Sequence, residues 1–273
     1  MPVWICPTCG AHHPESERPP DTCVVCTDER QWVPPSGQRW TTMAELADAG
    51  YATEIAELEP RLTGIGVTPG IGVGQRGVLV RTEQGNLLWD PPAFLDEQAI
   101  AAVREAGGLR AVSSSHPHMY GAMADWAREF EAEALLPASD TRWIQRPIPS
   151  LRPWSDTLSP LPGVHLVRTG GHFPGSAVLH WTGADGAGVL LCGDTLFVTP
   201  GEDRVSFIWS APNHLPLPEG GVRAIVDTLE PYSFERIYGG WWSPAIRANA
   251  KKVLADSARR YLEFLRGTVD IDG

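Results

Sequence analysis

Three short segments carry side chains that can bind a metal ion. Residues 109–121, LRAVSSSHPHMYG, follow a short apolar run with His116 and His118, which a single proline separates. Two imidazoles at positions i and i+2 of a loop at a strand end can face one ion. The segments GGHFPGS and LLCGDTLF place His172 and Asp194 beside glycines and next to apolar runs. Because imidazole and carboxylate are ordinary ligands of zinc and iron, these four residues are candidate ligands.

A second group of candidate ligands lies near the N-terminus. Two C-x-x-C pairs supply four cysteines, whereas Cys192 stands alone in an apolar run; the paired residues are Cys6, Cys9, Cys23 and Cys26. Disulfides are unusual in a reducing compartment, and paired C-x-x-C units are typical of metal sites with tetrahedral sulfur ligands. We expect zinc at this knuckle, with a rubredoxin-like iron centre on the same thiolates as the alternative.

The cysteines also predict the domain organisation. The segment between the two pairs is polar and rich in proline, so a metal must supply the folding energy that a small core would otherwise give. We predict a four-cysteine zinc-ribbon or rubredoxin-like module over residues 1–40 and a second domain over 41–273. Since four sulfurs complete the ligand shell, His12 and His13 are expected at the surface.

Composition restricts the function. The chain has 273 residues, 42% of them hydrophobic and 20% charged, which is typical of a globular protein with a substantial core. A formal net charge of −11 argues against a nucleic-acid groove, which needs a basic face. No apolar run approaches the roughly 20 residues that span a bilayer. Residues 1–10 lack the features of a secretory signal, so we expect a cytoplasmic protein.

Hydrophobic periodicity predicts the elements that must position these residues. A hairpin of 76–81 and 86–89 precedes a helix over 96–106, and the first histidine pair precedes a helix over 122–131. Strands come first along the chain, and strands mixed with helices follow. This order favours stacked sheets with helices on the outside. Further helices are predicted over 43–49, 222–229 and 246–265, and strands over 164–167, 177–181, 188–192 and 234–238.

From about residue 55 to 266 the chain resembles the metallo-β-lactamase fold superfamily. The resemblance rests on Asp90 at a strand end and on the segments SHPHMYG, GGHFPGS and LCGDTLF. It implies an α/β fold, an αββα sandwich with its metal at one edge between the sheets. It also implies a first-site triad of His116, His118 and His172, with Asp194 as the carboxylate that normally bridges two metals.

The chain departs from that family at its second metal site. The usual motif is H-x-H-x-D-H, and Tyr120 and Gly121 stand where its aspartate and second-site histidine are expected. The final histidine of the family is replaced in the segment YGGW, residues 238–241. With three second-site ligands missing, we predict one ion rather than a two-metal clamp, which holds ions roughly 3.5–4 Å apart.

These residues lead to three hypotheses on function. The first is a metallo-hydrolase with one zinc ion, a metal-bound water as nucleophile, and a small-molecule ester, thioester, lactone or phosphoester as substrate. The second is a mononuclear iron oxygenase like the persulfide dioxygenases of this superfamily, in which His116, His172 and Asp194 form a facial triad; a fourth ligand, His118, would argue against it. The third is a non-catalytic scaffold whose knuckle binds a protein partner or mediates a homo-oligomer.

Several other residues are candidates for roles around the histidine pair or in the core. Tyr120 is a candidate catalytic acid or oxyanion stabiliser, or else it fills the lost second site; Asp194 is a candidate base as well as a ligand. Trp241 and Trp242 are expected to shape the pocket, and His214 is a further candidate ligand. His165, His180 and Cys192 are expected to be structural.

Overall fold

A computed structural model describes residues 1–269. Its N-terminal segment contains one antiparallel strand pair, β1 (Val3–Ile5) and β2 (His12–Glu15), with the cysteines in the turns around it. The first helix, α1 (Met43–Asp48), begins where the Thr42 side chain accepts a hydrogen bond from the Glu45 amide at 3.2 Å. A threonine side chain at this position satisfies one of the unpaired amides of the first turn.

The first large sheet has seven strands that lie in chain order. The first four strands pair antiparallel, and the fourth strand also begins a parallel set that continues to the seventh. The strands are β3 (Ala52–Glu59), β4 (Leu62–Thr68), β5 (Gly77–Thr82), β6 (Gly85–Trp89), β7 (Ala111–Ser113), β8 (Glu133–Pro137) and β9 (Leu151–Trp154).

The second large sheet has six strands and one parallel pair, formed by its fourth and fifth members in space. They are β10 (Thr157–Leu161), β11 (Val164–Arg168), β12 (Ala177–Trp181), β13 (Val189–Leu191), β18 (Arg236–Tyr238) and β19 (Ala245–Ile246). Two small hairpins lie between β13 and β18 in the chain: β14 (Phe197–Val198) with β15 (Val205–Ser206), and β16 (Ile208–Ser210) with β17 (Leu215–Pro216).

Four further helices cover the outer faces of the sheets. Helices α2 (Glu97–Glu105) and α3 (Met123–Glu129) pack on the first sheet, and α4 (Glu219–Leu229) and α5 (Ala250–Leu265) pack on the second. A third buried cluster, with Trp89 and Leu179 among its members, fills the space between the sheets. The predicted αββα sandwich is therefore confirmed.

The differences from the predicted element bounds have local causes. Helix α5 begins at Ala250 rather than 246 because β19 extends the sheet beside β18 before the helix starts. The proline-rich stretch after β8 forms a 3₁₀-helix, Ala138–Trp143, followed by β9 and β10. Across residues 1–269, no helix combines the length and apolar character needed to cross a membrane.

The ends of the parallel strands bring the candidate ligands to one edge. Asp90 follows β6, the first histidine pair follows β7, and Asp194 follows β13. Because carboxyl ends of parallel strands meet at the same edge, loops from both sheets converge there.

Candidate metal centres

The four paired cysteines form one compact group. Their sulfur atoms all lie within 4.8 Å of one another, and each residue is 2% exposed or less. The Sγ atoms of Cys6 and Cys26 are 3.5 Å apart, as are those of Cys9 and Cys23. All four thiols are free of disulfides. A buried set of four sulfurs is able to bind a metal ion, and the identity of that ion stays a prediction.

Side chains outside the C-x-x-C units support this group. The Gln38 side chain donates to Cys6 Sγ at 3.2 Å and accepts from the Cys23 amide at 3.3 Å. The expectation that His12 and His13 are exposed is wrong, because they are only 5% and 3% exposed. His12 Nε2 lies 2.8 Å from the Ala93 carbonyl, and the His13 ring packs edge-on against Trp40. The knuckle is thus packed against the larger domain.

The second group gathers His116, His118, His172 and Asp194, with one ligand atom of each within 4.8 Å of the others. His118 lies in a 3₁₀ turn, Pro117–Met119, that directly follows His116. This turn bends the loop so that both imidazoles face the same point. The structure therefore brings together all four residues that the sequence nominates at this edge.

Three distances define which atoms face each other. His172 Nε2 lies 3.4 Å from His118 Nδ1, and Asp194 Oδ2 lies 3.5 Å from His116 Nε2 and 3.8 Å from His172 Nε2. The other ring nitrogens of two histidines bond outward. His116 Nδ1 lies 2.9 Å from Ser115 Oγ, and His172 Nδ1 lies 2.7 Å from the Trp209 carbonyl. Such outer bonds fix the ring orientation of a metal ligand.

Asp90 supports the group from behind. Its Oδ1 accepts the Ser115 amide at 2.6 Å, and its backbone adopts a left-handed φ of 53°. Burial, partly offset by the bond from Ser115, raises the pKa of Asp90 to about 7. This aspartate positions the loop that carries His116.

The electrostatics suit a cation. Burial, with the charge of His116 next, lowers the pKa of His118 well below its usual range and that of His172 to about 4. Both rings are therefore neutral near pH 7, the form that binds metal. Burial alone would raise the pKa of Asp194, but the neighbouring His116 and His172 together outweigh it and lower that pKa. The carboxylate is thus ionised.

The donor set fits a divalent metal. His116 Nε2 and Asp194 Oδ1 are buried and have no hydrogen-bond partner in the described chain. Leaving such atoms unpaired is costly, and a bound cation together with its water ligand would satisfy them. Three imidazoles and one carboxylate form a ligand set used for zinc and for iron.

Tyr120 and Gly121, which stand where the metallo-β-lactamase motif has second-site residues, lie outside this group. The Tyr120 hydroxyl is 3.5 Å from the Asp140 carbonyl, and its ring packs in the cluster under α3. A catalytic role for Tyr120 stays a prediction. Gly121 has φ +39°, and a Cβ added there would lie 2.9 Å from the Pro91 carbonyl oxygen. The backbone path itself excludes a histidine at this position.

A cavity of about 410 Å³ opens on the histidine group. His118, His172 and Asp194 line it, and the remaining lining is largely apolar and aromatic. Part of its wall comes from the cysteine segment, and part from loops of the larger domain: Pro7, Thr8, Arg30, Gln31, Trp32, Gly72, Val73, Phe197, Ala211, Pro212 and Trp241.

The wall from the cysteine segment is in close backbone contact with the larger domain. Gly72 donates its amide to the Pro7 carbonyl at 3.1 Å. A Cβ added at Gly72 would lie 2.7 Å from the Gly10 amide nitrogen, and the φ of Gly72 is +64°. Only glycine allows this approach.

The other predicted residues occupy varied positions. Trp241 lines the cavity and donates to the Val73 carbonyl at 3.0 Å, whereas Trp242 packs over Gly64 and Gly66. His214 is exposed and outside the histidine group, and Cys192 is buried. His165 and His180 bond to Ser159 and to the Ser233 carbonyl.

Sequence reasoning missed Arg30 and the wall formed by Trp32. Both follow the second cysteine pair in a polar stretch that has no periodicity, so the sequence contains no signal for their position. Arg30 is nonetheless only 8% exposed.

Comparison with known proteins places the chain in a family. It is 39% identical over 268 residues to the uncharacterized protein YmaE of Bacillus subtilis (strain 168), and the match covers 97% of both chains. The chain therefore belongs to the same family as YmaE. No family model matches it.

Similar solved structures share the fold. VMB-1 has a TM-score of 0.58 at 13% identity, covering 78% of this chain and 98% of its own. A B3 metallo-β-lactamase with an active-site glutamic acid has a TM-score of 0.53 at 17% identity, and the match covers 79% of this chain and 92% of its own. TTHA1623, in a di-iron-bound form, has a TM-score of 0.51 at 20% identity, and the match covers 75% of this chain and 98% of its own. The chain has the metallo-β-lactamase fold.

Proposed function

We propose that the histidine group is the active site of a hydrolase that uses one metal ion. The observation that carries this proposal is a buried set of three imidazoles and one carboxylate that opens on a cavity of about 410 Å³. A structural metal site is closed on all sides, whereas a catalytic site keeps a position open for water or substrate.

The residues of the chain would divide the work as follows. His116 Nε2, His118 Nδ1 and His172 Nε2 would hold the ion, which leaves one position for water. A zinc ion held by three protein ligands would act as a Lewis acid and lower the pKa of that water to about 7. Asp194 Oδ1 is buried without a partner and belongs to an ionised carboxylate, so it can orient the attacking water and accept its proton.

The cavity wall favours an uncharged carbonyl compound over a phosphoester. Among the described residues, Arg30 is the one arginine or lysine that lines the cavity. Its charge is already paired with Asp28 through Nε and Nη2, and Nη1 donates to the His172 carbonyl. Phosphate recognition favours a cation that is not already paired with a carboxylate. Trp32, Phe197 and Trp241 instead offer apolar surface for an ester, thioester or lactone.

An iron oxygenase is the second candidate. The same donor atoms bind iron, but the facial triad of such enzymes has three ligands and open positions. His118 lies in the group as a fourth residue, which counts in favour of the hydrolase.

The test combines metal analysis with assays on matched variants. Purified protein is analysed by element, with anomalous diffraction to locate each metal. It is then assayed on carboxylic esters, thioesters, lactones and phosphodiesters. His172→Ala should abolish hydrolysis, whereas His214→Ala, an exposed histidine outside the group, should retain it.

Three results would contradict the hydrolase. Hydrolysis that persists undiminished in His172→Ala would remove the site from the reaction. Iron at the histidine group with oxygen consumption on a persulfide would favour the oxygenase. A metal at both groups without turnover of any substrate would favour a scaffold.

A further inference from the structure

We propose that Arg30 is a positioning residue through which the four-cysteine centre controls the metal affinity of the histidine centre. The inference rests on the proposed function only in that the histidine group holds a metal. It does not depend on which reaction follows.

Arg30 links the two centres directly. It follows Cys26 by a short loop, and its Nη1 donates to the backbone carbonyl of the ligand His172 at 3.2 Å. Its guanidinium carbon lies 3.8 Å from the centre of the Phe173 ring, the residue next to that ligand. A planar guanidinium that both stacks and donates fixes a backbone in a way that no other side chain can.

The cysteine ligands set the position of Arg30. The Thr27 amide donates to the Cys23 carbonyl at 3.0 Å, and the Gln31 amide donates to the Asp28 carbonyl at 2.9 Å. Asp28 then clamps Arg30 with a bidentate pair, in which Nε and Nη2 lie 2.6 and 2.8 Å from the two carboxylate oxygens. The loop is short and tied to the second C-x-x-C unit, so its shape depends on the ion that those sulfurs hold.

The opposite side of His172 is tied to the same loop. His172 Nδ1 lies 2.7 Å from the Trp209 carbonyl. The next residue, Ser210, donates its hydroxyl to the Arg30 carbonyl at 3.1 Å, and Asn213 Nδ2 donates to the carbonyls of Glu29 and Gln31. Residues 28–31 thus support both the backbone and the ring of His172.

This arrangement predicts that a change at Arg30 affects the histidine centre and spares the cysteine centre. A change at Arg30 should loosen His172 while leaving the four sulfurs in place, because none of the four cysteine side chains bonds to Arg30 in the described structure. A change that removes the cysteine-bound ion should loosen both centres.

The experiment measures metal affinity in the full-length protein without substrate. Metal-free protein is titrated with cobalt against a competing chelator. The thiolate-to-cobalt charge-transfer band reports the cysteine centre, and total bound cobalt gives the histidine centre by difference. The variants are Arg30→Met and Arg30→Lys, with Arg142→Met as control. Arg142 is an exposed arginine that stacks on Trp143 at 5.0 Å.

We expect Arg30→Met to weaken cobalt at the histidine centre about 10-fold, the lower end of the effect of losing an outer support of a metal ligand. Its cysteine centre should keep wild-type affinity. The cobalt affinity of Arg30→Lys at the histidine centre should lie between those of the wild type and Arg30→Met. An ammonium group cannot bridge Asp28 and the His172 carbonyl as the guanidinium group does. Arg142→Met should match the wild type.

Unchanged affinity at the histidine centre in Arg30→Met would overturn the proposal. So would an equal loss at both centres, because Arg30 would then only stabilise the fold. If Arg30→Met does not fold, Asn213→Ala replaces it, since Asn213 is exposed and holds the loop from outside. A smaller but selective loss at the histidine centre is then expected, and its absence overturns the proposal.

A double-mutant cycle tests the path of the coupling. Cys9→Ser should also lower affinity at the histidine centre, and adding Arg30→Met to it should lower that affinity little further. Fully additive losses would mean that the cysteine centre acts by another route and would overturn the role of Arg30. Because no substrate is present, absence of hydrolase activity leaves this result unaffected.

Discussion

The cysteine group and the histidine group each bring four donor atoms within 4.8 Å, yet the chain builds them differently. The cysteines come from one short segment and are buried on all sides. The histidine group draws on three loops from both sheets and borders a cavity. A closed group of ligands from one short segment is typical of a structural metal ion. A group of ligands from distant parts of the chain that opens on a cavity is typical of a catalytic metal ion. The difference predicts that damage to the first group should reduce stability, and damage to the second should reduce activity.

The sharpest test of this contrast is a ligand removed from each group. Cys23→Ser should lower the free energy of unfolding by about 5 kcal/mol, since structural zinc contributes folding energy of roughly 10–16 kcal/mol. His116→Ala should change stability far less and remove activity instead. Urea unfolding and metal content measure both. Similar stability losses in the two variants would break the comparison.

A second test asks whether the histidine group can be converted to a two-metal site. Gly121→His should not recruit a second ion, because the added Cβ meets the Pro91 carbonyl at 2.9 Å in a left-handed backbone. Overpacking and backbone strain together should destabilise the protein by about 3 kcal/mol. Thermal unfolding and metal stoichiometry provide the measurement. A stable variant with one additional ion would contradict the structure here.

Lowering the pH should reduce stability through the histidine group, and His172 is the residue responsible. Its folded-state pKa of about 4 lies below the ordinary 6.5, so the unfolded chain binds more protons between these values. The contribution of His172 to the stability of the metal-free protein is therefore full above about pH 6.5, and on the order of 3 kcal/mol of it is lost as pH drops toward 4. His172→Gln, measured by urea unfolding across this range, should show a weaker dependence. An equal slope in both proteins would rule out His172 as the source.

The smallest expected effect concerns substrate binding at the open group. Trp241→Ala should raise KM about 10-fold with little change in stability, because the ring lines the cavity. Trp242→Ala is the matched control: its ring packs on Gly64 and Gly66, so it should reduce stability and spare KM. Steady-state kinetics and thermal unfolding distinguish the two. The reverse outcome would mean that the cavity wall is assigned to the wrong tryptophan.

The sequence is sufficient to predict the two groups of candidate ligands and the layers of the fold. The two C-x-x-C units, the His-x-His pair and the segments around His172 and Asp194 are local signals with fixed spacing, and amphipathic periodicity predicts the outer helices. The sequence does not predict where the four-cysteine knuckle packs on the larger domain. Its contacts use Gly10, Gly72 and backbone carbonyls, which carry no pattern.

Buried polar residues show the same limit. His12 and His13 are polar and are expected outside, but the Ala93 carbonyl and the Trp40 ring give them partners inside. Arg30 is buried because Asp28, Phe173 and the His172 carbonyl together replace its water. Whether such partners exist depends on distant parts of the chain, which one sequence does not reveal.

The wall that the cysteine segment contributes to the cavity changes what a truncation experiment would mean. A fragment that begins at residue 41 would lose Arg30, Gln31 and Trp32 from the pocket and leave the glycine surface at Gly72 facing water. Its inactivity would say nothing about the αββα domain as an enzyme. In evolutionary terms, we expect the first forty residues to be inherited and varied together with the domain they cover, rather than exchanged as a separate module.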